Sequence, residues 1–537
     1  MKNILFIILF FSCFVGFSQE DAWVYFNVKN NSQSYYDNPL QMLSQRALDR
    51  RAKQNISLDF KDIPIEVSFI SQIKAVSGIT VMAKSKWLNA LHIRGTQTVI
   101  NSLKSFAFVD KVDFANKSLN GTGKKATTVK LKIVNKVLEI QVDFTYGSSA
   151  NQIQMLHGDV LHQQNYTGSG KIIAVMDAGF PGVNIAQPFQ RLRDNNQILG
   201  GYDFVNRNSN FYSGDSHGTK VLSCMGGYKD NALVGTAPDA SFYLFRTEDD
   251  ATENPVEESY WVEAAEKADS LGVDVINTSL GYFGFDNTAY SHTYNEMDGK
   301  TAFMTRGAEI AFSRGMIVVA SAGNEGATAN PNIAVPADGI SVLTVGAVNA
   351  SKTVTSFSSI GPSFDGRVKP DVMAQGQSVV LSDSSGNIVT ANGTSFSSPI
   401  MAGMVASLWQ AFPNKTNKEI KDLIIKSADR YTNPNAQYGY GIPDFSVALS
   451  NGLGVNDFSV NDFFMYPNPT SDICTVSLSE KLDEGVLRIY SIRGQKIAEQ
   501  KISKTSPTIS LKSLQSGIYI YELDSNGNIT TGKIIKQ

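Results

Sequence analysis

Cysteine is nearly missing: Cys13, Cys224 and Cys474 are the three in 537 residues. Cys13 falls in an N-terminal apolar run, and the other two lie far apart in different expected domains, so neither a disulfide framework nor a thiolate metal site is expected. Cys224 is expected to pack as a small core residue. Excess charge is missing too. A formal net charge of −3 gives no reason to expect a nucleic-acid partner. The apolar run from Ile4 to Phe17 falls short of the about 20 residues that a membrane span needs. Preceded by Lys2 and followed by the small residue Ser18, it reads instead as an export leader over residues 1–18. Histidine is sparse, five in all, so each can be weighed singly.

What is present suffices for several cores. Residues 19–145 read as a small α/β unit without a catalytic constellation. Its elements are a strand at Trp23–Val28, a basic amphipathic helix over Pro39–Lys53, a helix over Ser68–Val76, extended segments at Val81–Ala83 and Trp87–Gly95, and a short helix at Val99–Leu103. Asn116–Thr128, rich in Lys, Gly, Ser and Thr, reads as an exposed connection.

From Tyr146 onward, apolar strands alternate with helices, the pattern of a doubly wound, mostly parallel sheet. Lys171–Met176 is a continuous apolar run suited to a strand buried on both faces. It ends in Asp177-Ala178-Gly179, and the carboxyl end of such a strand is where open α/β sheets place active groups. An aspartate closing a strand before a turn is the competing reading. His217, in Asp215-Ser216-His217-Gly218-Thr219, opens a helix, whereas His157 and His162 are off metal-ligand spacing and read as ordinary helix residues. Ser395 lies in Gly393-Thr394-Ser395-Phe396-Ser397-Ser398-Pro399, ahead of the apolar run Ile400–Trp409. A serine there either caps a helix or holds an exposed hydroxyl where the unpaired N–H groups of the first turn can face an oxyanion.

Asp, His and Ser in this order on such units resemble the subtilisin-like serine peptidases, over about Tyr146 to Ala448. The resemblance is carried by Ile173–Gly179, His217-Gly218-Thr219, Asn277-Thr278-Ser279-Leu280-Gly281, Ala322-Gly323-Asn324-Glu325-Gly326 and Gly393–Pro399. It implies Ser395 as nucleophile, His217 as base, Asp177 as the group orienting the imidazole, and Asn324 as an oxyanion donor. It also implies a substrate edge at Ser279, Leu280 and Gly281, facing Ser321, Ala322 and Gly323 across a roomy, apolar first pocket. Two departures stand out: Ala178 replaces the usual hydroxyl residue beside the triad aspartate, and Lys220 stands where relatives often have histidine. The loop Gly226–Leu233 looks shorter than the calcium-binding loop of well-known relatives. No cofactor is required on this reading, and a structural calcium stays an open option. The 19–145 unit then resembles the family's propeptide, an intramolecular chaperone and temporary inhibitor, with a mature start near Val142–Ser149. The peptidase domain is expected over 146–452.

Residues 453–537 change character. Short alternating strands (Ile473–Leu478, Val486–Tyr490, Ile518–Leu523) joined by turns at Ser491–Gln495 and Asp524–Asn528 read as a small β-sandwich. The Tyr466-Pro467-Asn468-Pro469 opening, Leu514–Tyr519 and terminal Lys533–Gln537 resemble the sorting domain of type IX secretion cargo. A generic adhesive module is the competing reading. The whole is expected to be a secreted or cell-surface endopeptidase, monomeric, acting on proteins or peptides. Its other partners are its own propeptide and the type IX machinery. Alternatives are a catalytically silent binder of the same fold and an esterase using the same triad.

Overall fold

The computed structural model describes residues 19–30, 32–120, 144–453, 463–466, 470–478, 484–491, 494–525 and 528–537. The leader lies outside them, as do most of the 116–128 connection, Val142 of the expected mature start, and Pro467–Pro469 of the sorting motif. The described chain forms one unit up to Leu449 and a second from Ser450.

Period-two alternation in Gln19–Phe26 (β1) sends its residues to two different faces. Ala22, Val24 and Phe26 join a core closed by Phe69, Ile73, Ile100 and Leu103. Trp23 and Tyr25 join the larger core that follows. β1 is a central strand of an antiparallel sheet, between Ala90–Thr96 (β3) and Val109–Phe114 (β4), with Thr80–Ser85 (β2) beyond β3. The predicted helix over Pro39–Lys53 is in fact two pieces. A 3-10 turn at Pro39–Gln41 ends before Ser44, whose Oγ accepts from the Ala47 N–H at 3.2 Å and starts helix Gln45–Lys53 (α1). An N-cap serine inside an amphipathic pattern breaks the helix there.

The larger core belongs to a seven-stranded parallel sheet. Its strands are Ile172–Asp177 (β5), Ile198–Asp203 (β6), Ser241–Arg246 (β7), Val275–Thr278 (β8), Ile317–Ser321 (β9), Leu343–Val348 (β10) and Val372–Gln375 (β11), in the order β11-β10-β9-β8-β5-β7-β6. β5, β8, β9, β10 and β11 are buried at every residue, as helices on both faces require. The helices that matter here are His217–Gly226 (α2), Val256–Leu271 (α3), Phe303–Ser313 (α4) and Thr394–Ala411 (α5). α5 is apolar nearly all round and correspondingly buried.

The N-terminal sheet packs on α3 and α4. Trp23 stacks on Phe303 with centroids 5.0 Å apart, and its Nε1 donates to Ser259 Oγ at 2.9 Å. Glu266 of α3 accepts from Ser85 Oγ (2.7 Å) and from the N–H groups of Lys86 (3.0 Å) and Trp87 (2.9 Å). From α1, Arg50 and Arg51 both reach the buried Asp269 of α3, at 2.5 and 2.6 Å, while Arg51 also holds Asp62 at 2.7 Å.

The C-terminal unit consists of a three-stranded and a four-stranded antiparallel sheet. They share a core of Val476, Leu487, Ile489, Ile502, Ile509, Leu523 and Ile534. The Ser491–Gln495 turn is closed by Ser491 N–H to Gln495 O at 2.9 Å. Cys224 and Cys474 are both buried, in separate units.

Candidate active site

Asp177 ends β5 with its side chain wholly buried, and His217 begins α2, where Asp215 Oδ1 accepts its N–H at 2.7 Å. The two meet across the sheet end: His217 Nδ1 lies 2.7 Å from Asp177 Oδ1. The same oxygen accepts the Ala178 N–H at 2.9 Å, while Oδ2 is buried without a partner among the described residues. Ala178 beside it offers no hydroxyl. Burial alone would lower the imidazole's pKa, but the Asp177 charge and hydrogen bond, helped by Glu248 and Asp215, hold it up at about 9.

Ser395 occupies the first turn of α5 and lines the same cavity as His217. Gly393 before it has φ +148°, a conformation glycine alone takes readily, which lets the chain turn sharply into the helix. Pro399, four residues on, has no N–H to give the Ser395 carbonyl, so the first turn is tied down by side chains instead. Ser397 Oγ donates to Thr394 O at 3.0 Å, and Ser398 Oγ donates to Asn277 Oδ1 at 3.0 Å. Asn277 in turn donates to Ser279 Oγ at 3.0 Å, linking α5 to the proposed substrate edge.

Asn324 follows β9 through Gly323, whose φ is +106° and where a Cβ would crowd Ser359 Oγ at 2.8 Å. Its Oδ1 accepts from both the N–H (2.9 Å) and the Oγ1 (3.0 Å) of Thr394. With the carbonyl oxygen engaged, the NH₂ group is the end available to donate into the cavity that Asn324 lines. Thr394 is therefore a residue the motif reading passed over, although it sits beside the serine.

Ser279, Leu280, Gly281, Ser321 and Gly323 line this cavity together with Ser395, His217 and Asn324. Ala322 does not: it is wholly buried, because side chains alternate along the strand end and its neighbours take the cavity side. The lining is also less apolar than expected. Glu325, Thr328 and Asn330 stand among Leu280, Ala329 and Ala334.

The remaining histidines have other surroundings. His162 is buried in a helix, within 3.0 Å of Tyr146 Oη and 3.1 Å of Thr236 O, and burial lowers it to about 4. His157 is not an interior helix residue: with φ +50° it is the left-handed hinge between two short helices, its Nδ1 2.9 Å from Asp444. Among the described residues no group of three or more His, Cys, Asp or Glu is gathered to hold a metal, and the short loop after α2 is a hairpin pairing Tyr228–Lys229 with Leu233–Val234.

Comparison with known proteins agrees with this architecture. The Peptidase S8, subtilase family description matches residues 168–441. A Peptidase S8 propeptide domain of Bacteroidota matches 21–132, and a secretion system C-terminal sorting domain matches 464–537. Subtilisin NAT of Bacillus subtilis subsp. natto is 32% identical over 299 residues, covering 55% of this chain and 70% of that protein. Subtilisin of Bacillus pumilus is 31% identical over 299 residues, covering 55% of this chain and 97% of the relative. A crystal structure of MycP1 with its N-terminal propeptide removed aligns with TM-score 0.46 and 24% identity, over 56% of this chain and 96% of the other. The chain belongs to the subtilase family of serine peptidases, and carries that family's propeptide domain and a secretion sorting domain.

Proposed function

We propose that the protein is a secreted endopeptidase that cleaves peptide bonds through an acyl-enzyme on Ser395. His217 removes the Ser395 proton as Oγ attacks the scissile carbonyl, then returns it to the leaving amine. Asp177 fixes the imidazole tautomer by accepting from Nδ1 and stabilises the imidazolium. Asn324 Nδ2 and the backbone N–H of Ser395 receive the oxyanion. The observation that carries the reading is the 2.7 Å contact of His217 Nδ1 with a buried Asp177 in a cavity that also holds Ser395 and Asn324. Apo geometry does not require a closed Ser–His hydrogen bond, which tightens when substrate arrives.

In this reading residues 1–18 are the leader, 19–145 the propeptide that folds on α3 and α4 and inhibits until cut, 146–452 the peptidase, and 453–537 the sorting segment that directs export to the cell surface or beyond. A serine-directed fluorophosphonate tests the chemistry. Mass spectrometry of the labelled protein is expected to place the adduct on Ser395. Absence of any adduct on correctly folded, processed protein would favour the silent-binder alternative.

A further inference from the structure

Asn324 must hold a carboxamide steady where packing gives it little support. Residues 324, 325 and 327–330 are all exposed, and the loop leaves β9 through Gly323, which has no side chain to anchor it. What fixes the loop is a second segment, residues 356–360, running beside it. The Gly326 N–H donates to Phe357 O at 2.9 Å, and the Ser359 N–H to Gly323 O at 2.9 Å. Further along, the Ile360 N–H donates to Pro331 O at 2.8 Å and the Ile333 N–H to Ile360 O at 3.1 Å. This segment is itself tied to the parallel sheet, since Ser358 Oγ accepts the Ala347 N–H of β10 at 3.0 Å.

Ser359 differs from its neighbours because it grips Asn324 from both sides. Its N–H takes the carbonyl before Asn324, that of Gly323, and its Oγ accepts the N–H after it, that of Glu325, at 3.0 Å. One wholly buried residue thus fixes both peptide groups that flank an exposed one. Glycine at 323 belongs to the same arrangement, because a Cβ there would come within 2.8 Å of the Ser359 hydroxyl. Thr394 acts on the other end by holding the carboxamide Oδ1. We propose that Ser359 is a positioning residue for the reaction: its hydroxyl, through the Glu325 N–H, sets the Asn324 backbone and so aims Nδ2 at the oxyanion. The proposal rests on the reading of Asn324 as an oxyanion donor, and extends it to a residue that does not line the cavity. Such a donor contributes most when its place is fixed before the charge develops.

A double-mutant cycle tests this, with native protein, Ser359→Ala, Asn324→Ala and the combined variant. Each precursor is matured by added, affinity-tagged native enzyme that is then removed, and active sites are counted by the endpoint fluorophosphonate titre. Ser359→Ala is expected to lower kcat about tenfold with KM within about twofold, against about 10²–10³ in kcat for Asn324→Ala. In the Asn324→Ala background, Ser359→Ala is expected to change kcat by less than about twofold, because the group it aims is gone. Since the loop is exposed, water can take the freed Glu325 N–H, and the titre of Ser359→Ala is expected to match native. Should that titre be too low to assay, Ser359→Cys, close in shape but a weak acceptor, carries the same cycle. An unchanged kcat, a loss confined to KM, or an equal loss with and without Asn324 overturns the positioning role and leaves the Asn324 reading standing. Asn324→Ala turning over at the native rate overturns that reading, and the proposal with it.

Discussion

Against the lowering effect of burial, the charge and hydrogen bond of Asp177, with Glu248 and Asp215, hold His217 up at about 9. In the proposed mechanism this decides when the site can work. A general base must be neutral to accept the serine proton. A pKa raised from 6.5 keeps the imidazole protonated at neutral pH and moves the acid limb of kcat/KM into the alkaline range. The expected pH profile on a neutral peptide therefore climbs toward pH 9, and Glu248→Gln shifts the limb downward by removing one of the charges responsible. A limb at the ordinary histidine value in both proteins would contradict the electrostatics described. Asn324 is read differently, because in the proposed mechanism it acts only on the developing oxyanion. Asn324→Ala is expected to lower kcat by about 10²–10³ with little change in KM, measured by steady-state kinetics. These positions were legible in the sequence for a physical reason: Asp177, His217, Ser395 and Asn324 sit at strand ends and helix starts flanked by Gly, Thr and Ser, a local chemistry that shows in one dimension. Glu248 and Thr394 were not. Within Glu248-Asp249-Asp250 nothing in the sequence separates a cleft carboxylate from solvated loop charge, and the bonds from Thr394 to Asn324 cross 70 residues.

Among the elements, the contact of α1 with α3 is where the propeptide is held most specifically. Arg50 and Arg51 are buried, and Asp269 and Asp62 are their partners. Removing the shared carboxylate leaves Arg50 without its ion-pair partner and Arg51 with Asp62 alone in a dry interface. Asp269→Ala is expected to destabilise the precursor by about 3–5 kcal/mol, read by denaturant unfolding, and to affect the processed enzyme much less. An equal effect on both forms would place the role of Asp269 inside the peptidase fold instead. The order of strands and helices followed from apolar periodicity, most plainly in β5 and β9, where every residue is buried. The break at Ser44 did not follow, because capping there depends on how the preceding turn meets α3: the Ser44 N–H donates to Ser270 O at 2.8 Å. In the C-terminal unit, Lys496–Ser503 was missed as a strand because it is mostly exposed and charged, while its buried neighbour Glu484–Ser491 alternates visibly.

At the scale of the whole molecule, the chain joins a propeptide domain, a peptidase domain and a sorting domain, and each shows a separate physical signature. The parallel sheet announces itself in buried apolar runs, and the C-terminal unit in short alternating strands. The acidic character of the cleft belongs to no single segment, since its carboxylates are drawn from three separate loops. Deleting residues 456–537 is expected to leave processed protein trapped in the cell envelope, as followed by fractionation. Release into the medium at native levels would remove the sorting role. The central claim is that Ser395 performs the chemistry, including the chain's own maturation. Its most direct test compares the secreted native protein with Ser395→Ala, reading both N-termini and then assaying both on casein. The account predicts a new N-terminus near Tyr146 and casein cleavage in the native protein alone, with the variant left as an uncleaved precursor. The same new N-terminus in the variant would assign processing to another protease, and casein cleavage by the variant would remove Ser395 from the mechanism.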